Sequence, residues 1–108
     1  MDKKQTKSEL VEKIYEKTGC ELKDIRSVID QFLDEIKKAL ENDQSVELRG
    51  FGTFEIRDRK GREKARNPKT GETVCVKDHA VVAFRAGKDL KNNVWDIPEK
   101  REVGELNR

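Results

Sequence analysis

Val46-Glu47-Leu48-Arg49-Gly50-Phe51-Gly52-Thr53-Phe54-Glu55-Ile56 is the stretch in which the chain changes its period. Val46 and Leu48 alternate with Glu47 and Arg49, and after the glycine-flanked Phe51, Phe54 and Ile56 alternate with Thr53, Glu55 and Arg57. Successive side chains on a strand point to opposite faces, so this alternation marks strands with one apolar face. Two such runs around Gly50-Phe51-Gly52 predict a β-hairpin.

On the N-terminal side the period is helical. Leu10, Val11, Ile14 and Tyr15 recur at helical spacing behind Thr6-Lys7-Ser8-Glu9, which has the form of a capping box, and Gly19 supplies a stop. A first helix is therefore expected over 7–18. Ile25, Val28, Ile29, Phe32, Leu33, Ile36 and Leu40 form a longer stripe with charged residues between them, predicting an amphipathic helix over 23–41 that ends at Asn42-Asp43. The two helices make an αα-hairpin.

On the C-terminal side, Val74, Val76, Val82 and Phe84 predict a third strand over 73–84, and Ala86-Gly87 opens a short helix reaching Val94, with Leu90 and Val94 on its apolar side. Between Asp58 and Glu72 the apolar pattern stops. That segment carries Arg59, Lys60, Arg62, Lys64, Arg66 and Lys69, and the turn signals Asn67-Pro68 and Thr70-Gly71. Strands entering and leaving a long polar turn make a projecting arm over about 58–73. The fold class is α+β: an N-terminal αα-hairpin, a three-stranded antiparallel sheet with an extended β-ribbon arm, and a short C-terminal helix. Residues 1–97 form one domain, and 98–108, lacking a core pattern, are expected as a flexible tail.

Charge marks the arm as a site. The 108-residue chain carries a net charge of only +2, but residues 57–77 hold eight Lys or Arg against three Asp or Glu, a local +5 that leaves −3 for the remainder. Apolar residues are 33% and charged residues 43% of the chain. A chain this short buries only about 60–65% of its unfolded surface, so a core shared with a second copy is expected.

Cys20 and Cys75 have neither disulfide-framework nor metal-ligand spacing and read as reduced thiols. Met1-Asp2-Lys3-Lys4 is followed by no apolar run, and no stretch approaches the ~20 apolar residues of a membrane span, so a cytoplasmic protein is expected.

Within the arm, spaced Arg and Lys can neutralise phosphates and release counterions. An Arg near the tip can enter a narrow minor groove, where the negative potential is strongest. Pro68, whose φ is fixed before binding, can wedge between base pairs, with Arg66 and Asn67 beside it to meet base edges or sugars.

Three motifs occur in order: Arg49-Gly50-Phe51-Gly52-Thr53-Phe54, Ala65-Arg66-Asn67-Pro68-Lys69-Thr70-Gly71, and Phe84-Arg85-Ala86-Gly87-Lys88-Asp89-Leu90-Lys91. From Thr6 to Trp95 the chain resembles the bacterial histone-like HU/IHF proteins that bend DNA. The resemblance implies an intertwined homodimer, or a heterodimer with a paralogue, whose two arms embrace double-stranded DNA, bend and compact it with little sequence specificity, and act in the nucleoid. It implies Pro68 as the intercalating tip, with Arg66 and Asn67 in the minor groove. It implies phosphate contacts from Lys7, the Gly50 and Phe51 backbone, Arg57, Arg59, Lys60, Arg62, Lys64, Lys69, Lys77, Arg85 and Lys88. A helix start favours an anion at Lys88 on physical grounds as well. It implies a dimer core drawing on Ile29, Phe32, Leu33, Ile36, Phe51, Phe54 and Phe84. Two features depart from the family pattern: Ala65 stands where Gly is usual, and the arm is one residue longer between Phe54 and Pro68.

Other function classes fit less well. Single-stranded nucleic-acid binding calls for exposed aromatic residues, and residues 58–72 contain none. Catalysis has no constellation, because the lone histidine, His79, has no Ser, Cys or paired-acid partner nearby and reads as an arm-base residue. No cofactor, metal or small-molecule substrate is expected. A purely protein-binding module differs in its flat salt response, whereas neutralising phosphates makes affinity fall by about 0.9 log units per phosphate per log unit of salt. Minor-groove contacts mainly separate A·T from G·C, so bent, nicked or flexible duplexes are the expected preference.

Overall fold

The structure, a computed structural model, describes residues 3–106, without the side chains of residues 64, 65 and 103–106. Its elements are α1 (Lys7–Thr18), α2 (Leu22–Glu41), β1 (Val46–Leu48), β2 (Gly52–Arg59), β3 (Arg62–Arg66), β4 (Thr73–Val76), β5 (His79–Ala86), α3 (Lys88–Val94) and α4 (Ile97–Leu106). They fall into two compact units, Met1–Lys38 and Ala39–Arg108, within the span that the sequence alone treats as one domain.

The helical unit begins where capping chemistry requires. Thr6 is extended, and its hydroxyl accepts from the Glu9 amide at 3.3 Å, satisfying one of the orphan N–H groups of the first turn. Gly19 ends α1 in the left-handed region at φ 70°, where a side chain would be strained, and its N–H reaches the Tyr15 carbonyl at 2.9 Å. Val11 of α1 and Ile25 of α2 are buried. Past the boundary of the second unit, α2 closes in a Schellman-type stop: Gln44 N–H bonds Ala39 O and Asp43 N–H bonds Leu40 O, with Asp43 itself at φ 59°.

In the second unit, β1, β2 and β5 form one antiparallel sheet in the order β1-β2-β5, and β3 pairs with β4 in a separate ladder. The register Val46↔Phe54, Phe54↔Phe84 and Ile56↔Val82 collects the apolar residues on one face. Thr53↔Arg85, Arg57↔Val81 and Arg59↔His79 put Glu55, Arg57, Arg59 and Arg85 on the other. Phe84 packs between Phe51 and Phe54 with ring centroids 5.2 and 4.8 Å away. Gly52 is buried at the start of β2, where a Cβ would lie 2.6 Å from both the Arg85 carbonyl oxygen and the Phe84 ring.

Two sequence expectations change, and the ribbon shows one feature that the sequence did not announce. The strand expected over 73–84 is two strands, β4 and β5, interrupted at Lys77-Asp78; alternation of Val74, Val76, Val82 and Phe84 runs through the gap unaltered and so hides it. The ribbon also contains a bulge: Arg62 pairs with Val76 but Ala65 with Val74, so β3 spends three steps where β4 spends two. Ala65↔Val74 and Arg66↔Thr73 then continue in register to the tip. Last, the segment 98–108 expected as a flexible tail is largely helical, in α4. Pro98 occupies the first turn of α4, where its missing N–H is not needed, and Lys100 N–H bonds Asp96 O.

Burial within the single chain is sparse. Val11 and Ile25 are the only buried hydrophobic residues among those described. Of the residues expected in a dimer core, Ile29, Ile36 and Phe54 are half-buried, and Phe32, Leu33, Phe51 and Phe84 are exposed.

Gly52→Ala is expected to destabilise the fold by about 1–3 kcal/mol, because the new methyl meets the Arg85 backbone as well as a flexible ring. Thermal denaturation followed by circular dichroism measures this, and an unchanged midpoint would remove the close approach from the explanation of this glycine.

Candidate nucleic-acid interface

The arm tip is built from its own hydrogen bonds. Asn67 N–H bonds Glu72 O and Gly71 N–H bonds Asn67 O, each at 2.7 Å, closing a turn over residues 67–72. The Asn67 side-chain oxygen accepts from the Lys69 amide at 2.9 Å, an Asx turn that holds the backbone around Pro68. Thr70 Oγ1 accepts from Glu72 N–H at 3.3 Å, and Gly71 takes φ 75°. Pro68 stands exposed within this turn, contributes no N–H that would need a partner, and has its φ set in advance. Of the two groove-reading roles expected beside it, Arg66 is exposed at the last pair of the ribbon, while Asn67 Oδ1 already accepts one bond within the turn and its amide nitrogen carries the donors that could meet a ligand.

Arg62 lies on β3, Lys69 in the tip, and Lys60 and Lys77 in the unpaired segments at the root of the arm; all four are exposed. Lys64 is on β3, and its side chain lies outside the described residues. Arg57, Arg59 and Arg85 continue the cationic surface onto the polar face of the sheet.

A second group forms at the hairpin turn. Gly87, the N-cap of α3, donates its N–H to Phe51 O at 2.8 Å. This bond brings the Gly50-Phe51 turn next to the start of α3, where Lys88 stands. Gly50 takes φ 84° in that turn. Lys7 belongs to the helical unit, and its ammonium is 2.8 Å from the Asp30 carboxylate. Both side chains are exposed, so the pair contributes at most about 1 kcal/mol, and a phosphate could replace the carboxylate at little cost.

Sequence reasoning missed Glu55. Its carboxylate lies 3.3 Å from the Arg57 guanidinium and 3.7 Å from Arg85 Nε. An acid thus sits between two cations on the face that would meet DNA. The signal was available: in alternation, Glu55 shares a face with Arg57, and only the β2–β5 register adds Arg85.

The family model for bacterial DNA-binding proteins matches residues 5–95. The chain belongs to this family, that of the HU and IHF proteins. Integration host factor subunit alpha of Serratia marcescens is 41% identical over 97 residues, 90% of this chain and 97% of that one. The same subunit of Aliivibrio salmonicida is 41% identical over 96 residues, covering 89% and 97% of the two chains. Among solved structures, an Anabaena HU–DNA cocrystal structure superposes with a TM-score of 0.75 at 39% identity, covering 83% of this chain and 97% of that one. A mutant HU from Thermotoga maritima gives 0.62 at 28% identity, with 83% and 99% covered. Helix α4 lies beyond the residues that the family model matches.

Glu55→Gln is expected to tighten binding to a short duplex several-fold at low salt and to steepen the salt dependence by about one phosphate equivalent, as Arg57 and Arg85 lose their internal counter-ion. Fluorescence anisotropy across a salt series reads both; weaker binding would mean that Glu55 orients the arginines instead of competing for them.

Proposed function

We propose that two copies of this chain embrace double-stranded DNA with their arms, enter the minor groove at Pro68, and bend and compact the duplex with little sequence specificity. The observation that carries this reading is the tip: Pro68 stands exposed on a cationic ribbon, on a turn whose hydrogen bonds are closed internally. A preordered wedge loses little entropy on insertion, and the flanking Arg and Lys supply the sequence-independent part of the affinity. Arg66 and the free amide of Asn67 meet the groove. Arg57, Arg59, Lys60, Arg62, Lys64, Lys69, Lys77 and Arg85 follow the phosphates, and the Gly50-Phe51 turn, Lys88 and Lys7 clamp them on the body. The Anabaena HU relative was crystallised with DNA, which supports the partner assigned here.

The second copy is supported by what one chain leaves uncovered. Phe32 is 52% and Leu33 48% exposed, on the amphipathic α2, and Phe51 and Phe84 are exposed beside the apolar sheet face. Each unit thus leaves large apolar side chains open to solvent, and exposed apolar areas mark interfaces. The partner is an identical chain or a close paralogue; the IHF relatives, named as alpha subunits, favour the paralogue as the second reading. Residues 1–97 form the DNA-binding module, acting in the cytoplasm at the nucleoid, and no catalytic role is assigned to it. Among the described residues no helix is long and apolar enough to cross a membrane.

Gel-shift titrations of linear, nicked and four-way-junction DNA across a salt series test the function. Preference for the nicked and junction forms, with a steep salt slope, is expected; a flat slope would favour a protein-binding module. Pro68→Ala should keep most of the affinity and reduce the bend read by energy transfer between duplex ends, and an unchanged bend would remove the wedge. Phe32→Ala should dissociate or unfold the dimer at a cost of roughly 3–5 kcal/mol; an unaltered melting temperature and mass would show that the ring is not part of a shared core.

A further inference from the structure

The arm is joined to the body through a break. The β2–β5 ladder ends at Arg59↔His79 and the β3–β4 ladder begins at Arg62↔Val76, leaving Lys60-Gly61 opposite Lys77-Asp78 with no strand pairing between them. Two unpaired residues facing two others would make a free swivel, and the length of the arm amplifies any swing. The seven steps along the chain from Gly61 to Pro68, at roughly 3.3 Å each, place the tip roughly 20 Å from the root. A swing of about 20° at the root then moves Pro68 by roughly 7 Å, about twice the ~3.4 Å between base pairs. A wedge with that freedom could not be held against one base step.

Side chains and one glycine close the gap instead. Gly61 N–H donates to Asp78 Oδ1 at 2.8 Å, crossing from one segment to the other. His79 Nδ1 lies 2.8 Å from the Lys77 carbonyl oxygen, fixing the turn back into β5. Gly61 lets the two segments approach this closely: a Cβ there would collide with the Val76 carbonyl oxygen and the Lys77 carbonyl carbon and lie 2.7 Å from the Asp78 nitrogen. All three obstacles are backbone atoms that cannot rotate away. The acid runs against the prevailing charge of the arm, since Asp78 follows Lys77 and lies with Arg59, Lys60 and one other acid, Asp58, on a segment whose proposed ligand is a polyanion. Its charge opposes binding, whereas its hydrogen bond fixes the root.

We propose that Asp78, by holding the Gly61 amide, is a positioning residue that locks the direction in which the arm leaves the body and so sets the bend imposed on DNA. This inference rests on the architectural reading above.

Asp78→Ala, Asp78→Asn and Gly61→Ala in the full chain test it, with three readouts: exchange of the Gly61 amide by NMR without DNA, the bend by energy transfer, and duplex affinity by anisotropy. Asp78→Ala should speed Gly61 exchange at least tenfold and shrink and broaden the bend while affinity holds or rises, because a negative charge is gone. Asp78→Asn loses the same charge but keeps an oxygen acceptor, so it should share the affinity change and retain the wild-type bend and slow exchange. Gly61→Ala should lose the bend with the melting temperature of the body unchanged. A wild-type bend in Asp78→Ala, or equal loss of bend in the Ala and Asn variants, would overturn the lock. If the wild-type chain itself left the duplex straight, the architectural reading would fail, and the Gly61 exchange rates would still decide whether Asp78 holds the root.

Discussion

The constraint from which the rest follows is the shortage of buried apolar surface within one chain. Val11 and Ile25 are the buried hydrophobic residues among those described, while the stripe of α2 and the aromatic cluster of Phe51, Phe54 and Phe84 stay partly or largely open. Conformational entropy opposes folding by roughly 1–2 kcal/mol per residue before side chains are counted, and two buried residues cannot offset that. A proposed second copy resolves the imbalance by covering these faces. The same step makes the protein symmetric, and symmetry turns one arm into a pair that can reach around a duplex. Stability and function then share one interface.

Electrostatics divides the remaining surface. The polar face of the sheet and the ribbon gather arginine and lysine, but acids are placed among them. Glu55 spans Arg57 and Arg85, and Asp78 holds the root of the arm. Each lowers the attraction for phosphate while fixing the geometry of its neighbours. For a protein that bends DNA without reading a base sequence, pose matters more than gross charge, because deformation energy depends on where the wedge enters. A net charge of only +2 is compatible with that design, since the cations are concentrated where the duplex would lie.

Legibility in the sequence followed the range of the interactions concerned. Helix α1 was readable to the residue, because Thr6 and Gly19 act within one turn of themselves. The hairpin around Gly50-Phe51-Gly52 and the Pro68 tip were readable for the same reason. The break at Lys77-Asp78 was not, since even apolar spacing continues across it and the residue packed against it, Gly61, is 16 residues away along the chain from Lys77. The bulge depends on the pairing of β3 with β4, which a polar segment without alternation does not disclose. Helix α4 escaped because its segment carries no apolar pattern that would mark a buried face. Among the site residues, Arg62 on β3 and Lys69 in the tip follow from the local pattern, whereas the Asn67 side chain's bond within the turn and the approach of Arg85 to Glu55 depend on contacts that alternation alone does not reveal.

Native mass spectrometry of the protein alone and with a short duplex tests most directly whether a shared two-chain core presents the arms. A free species at twice the 12.5 kDa chain mass, and a complex of two chains per duplex, are expected. A 12.5 kDa species that binds the duplex one-to-one would contradict the shared core and, with it, the paired arms.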